Sequence, residues 1–145
     1  MPKLSDPSKK QLRAMLDRRT SAFVRAQGKC EKTGVTHNLT NSHIISRTYI
    51  KVQFDPRNVQ CITSTEHGIL EGNPILFARY VEQSSCGQYV DTMLVQAHNA
   101  SAKPDYMLWV KVWDTIEQRG YTLEQAREWL GQQILLSEYD LLLID

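Results

Sequence analysis

The stretch from residue 41 to residue 73 constrains the fold of this chain more than any other. Residues 42–46 and 58–62 are short apolar segments of strand length, and a turn signal, Asp55-Pro56, lies between them. Directly afterwards, Thr63-Ser64-Thr65-Glu66 has the spacing of a capping box and predicts a short helix. Two strands and a helix in immediate succession predict a compact ββα unit.

Most of the remaining sequence predicts helices. The predicted helices cover residues 8–28, 63–72, 73–83, 85–99, 103–120 and 122–137, and an apolar tail at 139–144 is expected to dock. With 145 residues the chain fits a single domain, 1–145. The predicted fold class is α+β, predominantly helical, with a basic N-terminal helix (1–28), a central unit (29–73) and a helical extension (74–145).

Composition argues against several classes of protein. No apolar run reaches the ~20 residues that span a bilayer, so no membrane partner is expected. The first ten residues, MPKLSDPSKK, lack the apolar stretch of a secretory signal. Three cysteines without a Cys-x-x-Cys pair argue for reduced thiols rather than a disulfide framework. We therefore expect a cytoplasmic protein.

The net charge of +1 conceals a strong division along the chain. Residues 1–60 carry 12 Lys or Arg against 4 Asp or Glu, whereas residues 61–145 carry 5 against 12. The two halves therefore have net charges of +8 and −7. The basic half is either a solvated face that pairs with the acidic half, or a surface that binds phosphate.

Two histidines and an asparagine in the central unit are candidates for chemistry. His43 lies on the first predicted strand, Asn58 begins the second, and His67 lies near the start of the predicted helix. Glu71 follows His67 by four residues, so both lie on one face of that helix. Imidazole together with carboxylate suits Mg²⁺, Mn²⁺ or a related divalent ion. A single histidine is more often an ordinary core or surface residue, but the whole set favours a one-metal nuclease.

These residues resemble the HNH endonuclease motif, the core of the ββα-metal nucleases, with His43, Asn58 and His67 as signature residues. More narrowly, residues 18–95 are similar to the NinG/Rap family of phage recombination endonucleases. The segments that carry the similarity are Cys30-Glu31-Lys32-Thr33, Ser42-His43-Ile44-Ile45-Ser46-Arg47, Phe54-Asp55-Pro56-Arg57-Asn58-Val59, Gly72-Asn73, Tyr80 and Gln88-Tyr89-Val90-Asp91.

The resemblance implies a role for each residue. His43 would be the general base, His67 and Glu71 would bind one divalent ion (Mg²⁺ or Mn²⁺, with Ni²⁺ or Co²⁺ also possible), and Asn58 would hold the loop or reach the metal. DNA would be the partner, and the candidates for phosphate contacts are Arg47, Lys51, Arg57, Arg18 and Arg19. The implied function is a metal-dependent DNA endonuclease that acts on branched recombination intermediates of a phage.

The chain departs from the family pattern at two places. Ser42 stands where such cores often have a metal-binding Asp or His before the base. Of the zinc-binding cysteines of the family only Cys30 remains, because Thr33, Thr63 and Glu66 occupy the other positions. One thiolate cannot make the usual four-ligand site, so no structural zinc is expected, and core packing would have to replace it.

Other interpretations stay open from the sequence alone. The chain could be a restriction or homing nuclease that nicks plain duplex, an inactive HNH module that only binds DNA, or a protein-interaction adaptor. His37 and His98 are expected to be ordinary loop and helix-end residues. Apolar stripes at Trp109-Trp113-Ile116 and Leu123-Ala126-Trp129-Leu130 are expected to form core, with a homodimer interface as the alternative.

Overall fold

The computed structural model describes residues 8–98 and 106–137, and it bears out an α+β fold that is predominantly helical. In chain order the elements are α1 (Lys9–Arg25), β1 (Leu39–His43), β2 (Val59–Thr63), α2 (Ser64–Glu71), α3 (Pro74–Gln83), α4 (Val90–Ala97), α5 (Tyr106–Arg119) and α6 (Leu123–Ser137). Short 3₁₀ turns at Pro56–Asn58 and Gly87–Tyr89 precede β2 and α4. No helix in the described part of the chain combines the length and apolar character needed to cross a bilayer.

Side-chain caps fix the starts of four helices where the sequence predicts them. Ser8 makes a full capping box at α1, and Thr63 and Asn73 accept backbone N–H bonds at the starts of α2 and α3. Thr122 exchanges hydrogen bonds with Gln125 before α6. Each cap satisfies backbone donors that the first helical turn leaves without partners, so these boundaries follow from local chemistry.

The predicted position of the first strand was wrong by three residues. β1 is Leu39–His43, antiparallel to β2, with Leu39 opposite Thr63 and His43 opposite Val59. The apolar pair Ile44-Ile45 lies beyond the strand, because the backbone N–H and carbonyl of Ile45 are both hydrogen-bonded to the Asn58 side chain. His43 is therefore the last residue of β1 rather than its second.

The start of α4 also differs from prediction. Ser85 does not cap a helix; a 3₁₀ turn intervenes and α4 begins at Val90. Gly87 permits this sharp turn, because a Cβ there would meet the carbonyl oxygens of Val81 and Glu82 at 2.7 and 2.8 Å. The predicted helix end at 99, the helix start at 103 and the tail at 139–144 lie outside the described residues.

The tryptophan stripes form core, as predicted. Trp109, Trp113 and Trp129 are each at most 8% exposed and pack between α1, α5 and α6, so they offer no dimer surface. The indole of Trp113 donates to the carbonyl oxygen of Phe54 at 2.9 Å. The helical layer is thereby fastened to the loop that joins β1 to β2.

Candidate metal and phosphate site

A cleft of about 600 Å³ opens beside β1, between the end of that strand and α2. Its walls include four side chains that the sequence singles out: His43, Arg47, His67 and Glu71. The remaining lining residues are Asn41, Ile44, Ser46, Leu70, Pro74, Phe77 and Ala78. The structure therefore brings two histidines, an arginine and a glutamate to one solvent-open cavity.

The ring of His43 is held in a defined orientation. Its Nε2 lies 2.9 Å from the carbonyl oxygen of Gln53, and a carbonyl can only accept, so Nε2 carries the proton. In the neutral ring, Nδ1 then bears the free lone pair. Burial lowers the pKa of His43; the bond to Gln53 opposes this, and the charge of Arg47 adds to the lowering. The net shift is downward, so the ring is neutral and able to accept a proton near pH 7.

Asn58 holds the loop that follows His43. Its Oδ1 accepts from the Ile45 amide at 2.6 Å, and its Nδ2 donates to the carbonyls of Ile45 and Val52, both at 3.0 Å. The side chain is fully buried. Of the two roles expected for Asn58, the geometry favours the loop-holding one, because all three of these hydrogen bonds are to backbone groups and Asn58 does not line the cleft.

His67 and Glu71 meet on one face of α2. His67 Nε2 lies 2.9 Å from Glu71 Oε1, as the spacing of four residues predicts. On the other side of the ring, Nδ1 lies 2.9 Å from the hydroxyl oxygen of Ser42 on β1. The imidazole is therefore anchored to the sheet at one nitrogen and faces a carboxylate at the other.

This donor pair has the right separation for a small divalent ion. His67 Nε2 and Glu71 Oε1 lie 2.9 Å apart, close enough for one ion to be held by both, and imidazole and carboxylate are ligands that such ions accept. Within the described residues no group of three or more His, Cys, Asp or Glu could hold a metal. In the described part of the chain, His67 and Glu71 are therefore the residues that would hold an ion.

Two of the predicted phosphate-binding cations face solvent. Arg47 lies on the wall of the cleft, with 59% of its side chain exposed, and contacts Asp17 at 3.2 Å. Arg18 is exposed on α1. An exposed pair such as Arg47–Asp17 contributes little energy, so an arriving phosphate can replace the carboxylate.

The other three predicted cations are either shielded from solvent or already paired with a carboxylate. Arg57 is 1% exposed and forms an ion pair with buried Asp55 at 2.7 Å. Arg19 makes two hydrogen bonds of 2.9 Å to Glu117, which links the basic and acidic halves. The Nζ of Lys51 is shielded from solvent and makes no hydrogen bond to the described residues. Arg57 and Lys51 are thus held away from an incoming phosphate, whereas the Arg19–Glu117 pair lies at the surface.

Three contributors to the site were missed from the sequence. Ser42 contacts His67, and the signal in the sequence is its position directly before His43, which puts it on the opposite strand face. Gln53 acts through its main-chain carbonyl, for which a sequence carries no signal. Asp17 was one charge among many on α1, and only the fold brings it to Arg47.

No protein-family model, no curated protein and no solved structure matches this chain, so its chemistry rests on the geometry of its own residues.

Proposed function

We propose that this protein is a metal-dependent DNA endonuclease that hydrolyses phosphodiester bonds through an HNH-type site. The observation that supports this best is the shared cleft, in which His43, Arg47, His67 and Glu71 converge from a strand end, a loop and a helix. The order β1, β2, α2, with α2 against the hairpin, is the arrangement that a ββα-metal core requires.

His43 acts in this proposal as the general base. Its Nδ1 accepts a proton from the attacking water, while Nε2–H stays bonded to the Gln53 carbonyl. That carbonyl keeps the ring oriented and stabilises the imidazolium that forms. Arg47, freed from Asp17, contacts a non-bridging phosphate oxygen and holds the substrate in line.

His67 and Glu71 hold the divalent ion. When bound, the ion neutralises the scissile phosphate and stabilises the departing 3′-oxygen. Since the described residues supply two ligands, we expect weak binding in the absence of DNA and tighter binding once a phosphate completes the shell. Mg²⁺ and Mn²⁺ suit a mixed imidazole and carboxylate pair, and Co²⁺ or Ni²⁺ are accepted by imidazole.

The substrate we propose is branched DNA of the kind formed in phage recombination, on the basis of the family resemblance. A nuclease that nicks ordinary duplex is the competing enzyme function, and a binding module without activity is the competing non-enzyme function. Competition between a four-way junction and linear duplex of equal length separates the first two. Cleavage itself separates both from the third.

Nicking of supercoiled plasmid in Mg²⁺, Mn²⁺ or EDTA tests the proposal. We expect cleavage with either ion, none with EDTA, and a rate loss of ~10²–10⁴ for His43→Ala, because a positioned base is removed. His37→Ala is the matched control, since His37 is exposed in a loop outside the cleft. Cleavage by His43→Ala at the wild-type rate, or cleavage that survives EDTA, would contradict the mechanism.

A further inference from the structure

We propose that Ser42 is a positioning residue, which holds His67 through a hydroxyl able to serve either tautomer of the ring. This inference rests on the proposed function, since it concerns how the same site accepts its ion. In this proposal Ser42 does not bind the ion itself; it contacts Nδ1 of His67, the residue that does.

The two contacts of the His67 ring fix one tautomer of the neutral imidazole. Glu71 faces His67 Nε2 at 2.9 Å, and an ionised carboxylate can only accept, so Nε2 carries the proton in the neutral ring. Nδ1 then bears a lone pair, and the Ser42 hydroxyl donates to it over 2.9 Å. Both ring nitrogens are satisfied by the protein.

Binding of the ion requires the opposite tautomer. Nε2 must offer its lone pair to the ion beside Glu71, so the ring proton has to be on Nδ1. The Nε2 proton passes to solvent and Nδ1 takes one from solvent, so the ring is neutral before and after and no net proton is released. Nδ1–H then donates to Ser42, whose oxygen changes from donor to acceptor by rotation of the hydroxyl.

The surroundings keep Ser42 in place for this exchange. It is 2% exposed and lies in the ladder opposite Gln60, so its Oγ is held by the strand rather than by a mobile loop. A hydroxyl can donate and accept, whereas an alanine can do neither. A partner at the remote nitrogen of a ligating histidine typically accounts for 10–100-fold in metal affinity.

Metal binding provides a test that does not depend on cleavage. We would titrate Mn²⁺ into the full chain and follow free Mn²⁺ by electron paramagnetic resonance. Ser42→Ala should raise the dissociation constant about 10–100-fold, and Ser42→Thr should keep it near the wild-type value. Ser46→Ala is the matched control, because Ser46 lines the same cleft but its hydroxyl contacts Thr48. Unchanged affinity in Ser42→Ala overturns the proposal.

Nitrogen-15 spectra of the wild-type ring give a second test that needs no variant to fold. His67 should show Nε2–H without metal and Nδ1–H with saturating Mg²⁺, its signals being assigned by their loss in His67→Ala. The same tautomer in both states overturns the proposal, as does a wild-type protein that binds no metal. A tautomer change without DNA cleavage would support the role of Ser42 and refute the nuclease. DNA cleavage by the wild-type protein, together with an unchanged Mn²⁺ affinity in Ser42→Ala, would support the nuclease and refute the role of Ser42.

Discussion

Asn58→Asp separates the two roles considered for this residue, because they predict opposite results. A carboxylate is a stronger ligand than an amide for a hard divalent ion, so the substitution would strengthen metal binding if Asn58 were a ligand. If Asn58 instead holds the loop, the substitution would destabilise the fold. The amide Nδ2 donates to the carbonyls of Ile45 and Val52, and a carboxylate oxygen in its place would face two other oxygens.

The size of the loss follows from those contacts. Two buried hydrogen bonds are removed, each worth about 1 kcal/mol net, and two carbonyls lose a partner. An ionised group would also be buried at a fully enclosed position, which costs several kcal/mol more unless it takes up a proton. We expect Asn58→Asp to lower the free energy of unfolding by about 3–5 kcal/mol, and Asn58→Ala by about 2–3 kcal/mol.

Urea unfolding followed by the fluorescence of the buried tryptophans measures this loss. Asn73→Asp is the matched control: Asn73 caps α3 at an exposed position, where aspartate caps equally well, and its stability should stay within about 0.5 kcal/mol. Wild-type stability of Asn58→Asp, or a lower Mn²⁺ requirement for cleavage, would refute the loop-holding role.

Three further predictions concern the cleft. Because the pKa of His43 lies below the ordinary value of 6.5, kcat/KM should hold down to about that pH and fall only below it; Arg47→Gln should move this fall to higher pH, which a pH profile detects. Glu71→Gln should raise the Mn²⁺ concentration that gives the half-maximal cleavage rate, and His67→Ala should abolish metal-dependent cleavage. An unchanged half-maximal concentration in Glu71→Gln would leave His67 as the one ligand on α2. DNA affinity should fall steeply with salt, and Arg47→Ala and Arg18→Ala should each lower the slope of log K against log salt by about 1, so a slope near zero would exclude a basic binding face.

The parts of the fold that local chemistry decides were predictable. Caps at Ser8, Thr63 and Asn73 depend on residues within one helical turn, so their signal is present in the sequence itself. The end of β1 depends on the hydrogen bonds that Asn58 makes to Ile45 from the far side of the loop, and no local sequence pattern indicates them. The apolar pair Ile44-Ile45 looked like a strand for this reason, although its backbone serves a side chain thirteen residues away.

The contact between His67 and Glu71 on α2 was predictable for the same local reason, whereas the partners of the arginines were not. Residues four apart on a helix meet in any fold, and His67 and Glu71 do so here. Whether an arginine meets DNA or a carboxylate depends on distant segments, as with Arg19, whose partner Glu117 lies 98 residues along the chain. The aspartate two residues before Arg57 is, by contrast, a local signal for the internal pair that these two residues form.

An ion pair between Arg127 on α6 and Glu31 in the loop after α1 is also hydrogen-bonded to β2. The Arg127 guanidinium on α6 is 2% exposed, contacts both carboxylate oxygens of Glu31 at 2.6 and 2.9 Å, and donates to the Val59 carbonyl at 2.7 Å. The second oxygen of Glu31 also accepts the Cys61 amide. Because Val59 pairs with His43 in the sheet, α6 restrains the position opposite the proposed base. The buried guanidinium of α6 therefore connects the loop after α1 to β2.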